Sequence, residues 1–318
     1  MRGGKLFMRF GMDQITEIIN KIESEKLPHK NCVVVGDNSS GKSLLLKKFI
    51  AQVENSDSVY FIDAVNRGFD VKKVPTTSNG IKYRSSILQT RLKDDFFNLK
   101  DSFNCFGTLT ECVEMIYPVY EAEVQNLFFR LTGDRFHIIY GDPIGEVEFE
   151  NGKGLLSSGY QALIRIILEL LFYQDTGVLK DEAWVVIDEI DEFLSPKYAA
   201  LIMEFLKQEF PWGKWIVTTH SCDLVAQTTN ANLIVLDNGY EVMDIDDYSS
   251  VSEVQIVFER LFGSELQEEN EIENTLRRLL NNKINNAWGN KDDVCLTELQ
   301  HTSLSASQKL ILKQIQEW

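Results

Sequence analysis

Short apolar runs punctuate the chain at Cys32–Val35, Val59–Ile62, Trp184–Ile187, Trp215–Thr218 and Leu233–Leu236. None alternates with polar residues, which is the pattern of strands buried on both faces of a parallel sheet. Helical patterns lie between them. Met12–Glu23 precedes the first run and Ser43–Val53 follows it. Tyr160–Tyr173 is apolar on nearly every side, which predicts a deeply packed helix. Lys197–Phe210 begins just after Pro196, a favoured first-turn residue. Strands alternating with helices predict an α/β fold.

The region 66–154 breaks this rhythm. It predicts helices over Arg91–Leu99 and Glu121–Leu131, and a strand pair around Arg135–Tyr140 and Gly145–Phe149, with a turn at Asn151-Gly152. We read it as a subdomain inserted within a larger domain spanning 1–250. Leu233–Asp247 reads as a strand, an Asn-Gly turn and a return strand. Beyond 251 the chain predicts a helical tail. Ser252–Phe262 carries an apolar stripe, and acidic Glu265–Glu273 leads into Leu276–Leu280 as a solvated face. Leu304–Gln308 opens a last helix ending at Trp318.

The chemistry is concentrated at the ends of the apolar runs. Gly36-Asp37-Asn38-Ser39-Ser40-Gly41-Lys42-Ser43 fits the phosphate-loop pattern G-x-x-x-x-G-K-[ST] between a strand and a helix. Glycines allow the backbone to wrap closely around phosphate, and successive N–H groups with a helix N-terminus face the anion. In that context Lys42 is expected to reach the β- and γ-phosphates, and Ser43 to ligate Mg²⁺. Ala183–Glu189 is an apolar strand ending in two carboxylates. Asp188 suits a hydrated Mg²⁺ and Glu189 suits a general base. Leu156–Gln161, with Ser157, Ser158 and Gly159, precedes the apolar helix as a second anion-binding turn or as a plain helix cap. His220 ends the Trp215 run, where an imidazole is structural or else contacts the γ-phosphate or the attacking water.

In this order the four motifs resemble the ABC ATPase superfamily. Gly36–Ser43 resembles Walker A, Leu156–Gln161 the signature loop, Trp184–Glu189 Walker B with its catalytic glutamate, and His220 the switch histidine. The resemblance implies a P-loop NTPase fold that binds ATP and Mg²⁺. It also implies a homodimer in which Ser157 and Gly159 of one copy close on the nucleotide of the other. Ser158 and Tyr160 depart from the transporter signature, as does Ile190–Pro196 after Glu189. The chain is similar rather to the RecF/SMC/OLD-like side, and especially to small bacterial AAA-family ATPases of anti-phage defence. The interval from Lys42 to Ser157 is too short for long coiled-coil arms. Asp191 stands where a D-loop acid is expected. Gln89 lies at a Q-loop distance in a helix-like context, which leaves the Q-loop unassigned.

Composition narrows the partners. The net charge of −16 supplies no positive field for nucleic acid, which weighs against the alternative of a DNA-repair clamp. The five cysteines form no Cys-x-x-Cys pair, and a cysteine in the Cys32 run usually acts as a small hydrophobe. No uninterrupted apolar stretch approaches a membrane span, and the first residues resemble no secretory signal, so a cytoplasmic protein without membrane attachment is expected. Asp244-Ile245-Asp246-Asp247 and Asp142…Lys153 lack nuclease spacing. A switch that controls a separate protein effector, such as a nuclease or toxin, is therefore the expected function.

Overall fold

The computed structural model describes residues 11–53, 56–77, 91–104, 111–140, 146–176, 183–237, 239–248 and 250–259, and, further on, 275–276, 279, 283, 288–300, 312–313 and 315–316. Gln89, Glu265–Glu273, Leu304–Gln308 and Trp318 lie outside the described residues. The chain separates into two compact units, Met1–Val254 and Gln255–Trp318.

The first unit is built on a six-stranded sheet. In chain order its strands are β1 (Asn31–Gly36), β2 (Val59–Ile62), β6 (Ala183–Ile187), β7 (Gly213–Thr218), β8 (Ala231–Leu236) and β9 (Tyr240–Asp244). Across the sheet they run β2-β6-β7-β1-β8-β9. All neighbours are parallel except β8 and β9, which form the antiparallel return pair predicted over Leu233–Asp247. The five predicted strands each fall within an observed one. Their residues are almost wholly buried because helices cover both faces.

Strand alternation assigns side chains to the two faces. Cys32, Val34, Val59, Phe61, Val186, Ile216 and Ile234 meet the helices α1 (Met12–Glu23) and α2 (Lys42–Gln52). Helix α1 contributes Ile15, Ile18, Ile19 and Ile22, the spacing of one helical face. Helix α2 contributes Leu45, Leu46, Phe49 and Ile50, and Phe49 meets Trp184 edge to face at 5.0 Å between centroids. A fully buried side chain of this size contributes about 1.5–3 kcal/mol. Cys32 is fully buried, and burial pushes its thiol up to about 12, so it serves as a neutral apolar group.

From the opposite face, Tyr60 meets α4 (Ser158–Thr176). Its ring lies 4.8 Å from that of Tyr173, and its hydroxyl donates to Glu169 at 2.8 Å. Among the described residues the unit also has the helices α3 (Tyr117–Thr132), α5 (Pro196–Glu209) and the short α6 (Cys222–Gln227). Beside α3 and α4 sits a small antiparallel sheet, β3 (Phe136–Ile138), β4 (Val147–Phe149) and β5 (Gly152–Gly154). Gly152, at φ +122°, supplies the turn conformation that a side chain disfavours.

One predicted element differs. Arg91–Leu99 forms a turn and a short 3-10 segment, Phe97–Leu99, rather than a helix. Tertiary bonds outcompete the local periodicity. Lys47 Nζ donates to the Asp94 carbonyl at 2.6 Å, Arg91 Nε donates to the Phe97 carbonyl at 2.6 Å, and Ala64 N–H donates to the Asn98 carbonyl at 3.0 Å.

In the second unit the described helical residues include Asn290–Gln300. Leu276, Leu279, Leu299, Leu312 and Ile315 form a small buried cluster, and Lys283 Nζ lies 4.2 Å from the centre of the Trp288 ring.

Candidate nucleotide site

Three neighbouring parallel strands, β6, β7 and β1, end on one edge of the sheet. They deliver Asp188-Glu189, Thr218–His220 and the Gly36–Ser43 loop to the same place. The crevice beyond the carboxyl ends of such strands is where open α/β sheets bind ligands.

The loop after β1 is close-packed at its first glycine. A Cβ on Gly36 would lie 2.5 Å from Ser40 Oγ and 2.8 Å from the Leu236 carbonyl oxygen, so only glycine fits. Ser39 and Gly41 take left-handed conformations, φ +65° and +106°, that coil the loop tightly. Ser40 Oγ is buried and has no hydrogen-bond partner among the described residues. Lys42 opens α2, with its Nζ donating to the carbonyls of Gly36 at 2.7 Å and Asp37 at 3.2 Å. Burial pulls the Lys42 ammonium below its usual pKa, against the attraction of Glu189 and Asp188. Asn38 N–H donates to the Asp37 carboxylate at 2.6 Å.

Ser43 Oγ donates to Asp188 Oδ2 at 2.9 Å. Asn98 Nδ2 donates to the same carboxylate oxygen at 2.9 Å and to Ser43 Oγ at 3.2 Å. The serine hydroxyl and the carboxylate supply neighbouring oxygen ligands, which fits a small hard cation such as Mg²⁺, while the Asn98 amide donates to both oxygens and orients them. Asn98 carries no motif, and it lies in the segment that sequence periodicity assigns to a helix. Only the fold brings it to this site.

The other oxygen, Asp188 Oδ1, accepts from Thr218 Oγ1 at 2.6 Å, and Thr218 Oγ1 accepts from Glu189 N–H at 2.7 Å. Glu189 sits at φ +51°, a left-handed conformation unusual for a residue with a side chain. Burial lifts its carboxyl above the ordinary carboxylate pKa, and the negative charge of Asp188 adds to the shift. That is the direction of a base poised closer to neutral pH. His220 follows β7 and is exposed. Its pKa is lowered by partial burial and then by the positive charge of Lys42, while Asp191, Asp37 and Asp188 oppose the shift.

Ser157 lies at the start of α4, where its Oγ accepts from Tyr160 N–H at 3.2 Å. Ser157 and Ser158 are exposed. A Cβ on Gly159 would lie 3.0 Å from the Phe193 carbonyl oxygen, which places this turn against the segment following Glu189. Tyr160, which departs from the transporter pattern, packs edge to face on Phe128 at 4.8 Å, and its hydroxyl donates to Asp134. The Asp244–Asp247 stretch has a local role. Asp244 accepts from Asp246 N–H at 3.1 Å and from His29 Nε2 at 2.8 Å, at the opposite ends of β8 and β9 from the phosphate loop.

Sheet order, phosphate loop and paired acids together define an ATPase-type P-loop α/β fold. Over residues 114–226 the sequence matches the family described as “AAA domain, putative AbiEii toxin, Type IV TA system”. It is 30% identical over 193 residues to the Septu protein PtuA of Bacillus thuringiensis, a match covering 58% of this chain and 44% of that protein. The chain thus spans less than half the length of that relative. Among solved structures it is similar to the SMC head domain of Thermotoga maritima, with 15% identity and a TM-score of 0.35, covering 68% of this chain and 90% of that one. It is also similar to a dimeric ATP-binding cassette bound to ADP and Pi, with 14% identity and a TM-score of 0.33, covering 67% and 84%. Among the described residues no helix is long and apolar enough to cross a membrane.

Proposed function

We propose that this chain is a cytoplasmic ATPase switch of bacterial anti-phage defence, which closes as a homodimer around two ATP–Mg and controls a separate protein effector. The observation that carries the ATPase reading is the convergence of Lys42, Ser43, Asp188 and Glu189 at the ends of β1 and β6. The loop Gly36, Asn38, Ser39, Ser40, Gly41 and Lys42 cradles the phosphates, with Lys42 exchanging its loop carbonyls for phosphate oxygens. Ser43 and Asp188 hold the metal, which when bound neutralises charge on the β- and γ-phosphates. Glu189 takes the proton of the attacking water, and His220 stands at the γ-phosphate side. Ser157 and Ser158, exposed at the start of α4, and the half-buried Gly159 contact the nucleotide of the second copy.

The defence assignment is supported by the likeness to the Septu protein PtuA and by the resemblance to small bacterial defence ATPases. The net charge of −16 favours a protein effector over nucleic acid. The test is ATP turnover by the purified chain with Mg²⁺. Lys42→Ala is expected to abolish nucleotide binding. Glu189→Gln is expected to bind ATP and release no phosphate. Wild-type turnover by the Glu189→Gln variant overturns the assignment of the base.

A further inference from the structure

The peptide that joins the two acids is held from both sides. Its N–H, from Glu189, donates to Thr218 Oγ1 at 2.7 Å, and its carbonyl, from Asp188, accepts from Arg67 Nη2 at 2.9 Å. A left-handed residue needs such support. At φ +51° the Glu189 backbone is costly for a side-chain-bearing residue and persists only where its surroundings over-determine it. Arg67 is 1% exposed, and its charge is balanced by Asp63 and then Glu169. Asp63 is itself anchored by Ser102 and by the backbone of Val65 and Asn66. The guanidinium therefore approaches the Asp188 carbonyl from a fixed base.

The same segment touches α4. Phe69 N–H donates to Gln161 Oε1 at 3.3 Å, and Arg165 Nη1 donates to the Gly68 carbonyl at 3.3 Å. Gln161 also donates from Nε2 to the Leu156 carbonyl at 3.0 Å, one residue before Ser157. A path thus runs from the Leu156–Gly159 turn by hydrogen bonds to Gln161 and Phe69, along the backbone from Phe69 to Arg67, and by the Arg67 hydrogen bond to the Asp188–Glu189 peptide. We propose that Arg67–Phe69 is a strut that couples the signature turn to the general base, with Arg67 as a positioning residue for Glu189. On the homodimer reading given above, nucleotide bound by the second copy presses on Ser157–Gly159 and, through this strut, sets the Glu189 of the first.

Arg67→Lys keeps the positive charge beside Asp63 and Glu169 and withdraws Nη2, the one guanidinium nitrogen with a hydrogen-bond partner among the described residues. The expected result is a fall in kcat of about 10²-fold, as for a small misplacement of a reacting group, with ATP affinity within about twofold of wild type. A purely structural role moves thermal stability and ATP affinity together with kcat, and that result overturns the proposal. Gln161→Met, which buries no charge, provides the second arm. Alone it is expected to lower kcat with ATP affinity unchanged, which also keeps the proposal open to refutation if the Arg67 variant fails to fold. Combined with Arg67→Lys it is expected to add no further loss, because both changes cut one strut. Full multiplication of the two kcat losses overturns the coupling. Absence of ATP turnover by the wild-type chain refutes the ATPase reading itself. Wild-type turnover with an unaffected Arg67→Lys refutes only the strut.

Discussion

Replacing Thr218 by valine changes the shape of one buried side chain very little and its chemistry a great deal. Thr218 is fully buried at the end of β7. Its hydroxyl donates to Asp188 Oδ1 at 2.6 Å and accepts from Glu189 N–H at 2.7 Å. Valine deletes both bonds and keeps the volume. Losing a hydrogen bond to a charged group costs about 1.5–3 kcal/mol, and leaving a part-buried N–H unpaired costs roughly 1–3 kcal/mol. With some relaxation the loss is about 3 kcal/mol. Thr218→Ser keeps the hydroxyl and deletes one methyl, at a cost of about 1 kcal/mol. Urea denaturation followed by tryptophan emission measures both, because Trp215 is buried in the same strand. The valine variant is expected to unfold about 2 kcal/mol more easily than the serine variant, at equal urea dependence. Equal losses in the two variants would show that packing, rather than the hydroxyl bridge, holds the acid pair.

Three further outcomes follow from the same geometry. Gly36→Ala is expected to destabilise the fold by about 1–3 kcal/mol by overpacking Ser40 and Leu236, and calorimetry with ATP titration should show lost nucleotide binding. Arg165→Met leaves Glu169 buried with its 2.8 Å partner gone, at about 3–5 kcal/mol. Adding Glu169→Leu should recover part of that loss in urea denaturation. The raised pKa of Glu189 means that ionising it costs more in the folded chain than in the unfolded one. Its contribution to stability is therefore complete below the ordinary value of 4.5 and is lost as pH rises through the higher folded value. Glu189→Gln should accordingly stabilise the chain at neutral pH and match wild type in acid. The acid limb of wild-type hydrolysis should lie above pH 4.5.

The phosphate loop was legible because its spacing is local: glycine, lysine and serine within eight residues of a strand end. The strands were legible because burial on both faces leaves continuous apolar runs such as Val59–Ile62. Asn98 was not legible. It belongs to a stretch whose apolar spacing imitates a helix, and bonds from Lys47, Arg91 and Ala64 override that spacing. Arg67 was hidden for a related reason. Its partners Asp63, Glu169 and Asp188 are dispersed along the chain, and a buried charge network has no periodicity to read. The signature turn lies between these cases. Its serine and glycine are visible, but Ser157 bonded to Tyr160 N–H is equally the geometry of a helix cap.

That ambiguity bears on whether two copies close around two ATP with each signature turn acting on the nucleotide of the other. Light scattering of the Glu189→Gln chain, with and without ATP and Mg²⁺, measures it directly. ATP is expected to double the mass with one nucleotide held per chain, and Ser157→Arg is expected to leave each chain binding ATP but single. A mass unchanged by ATP, or a dimer indifferent to Ser157→Arg, contradicts this closure.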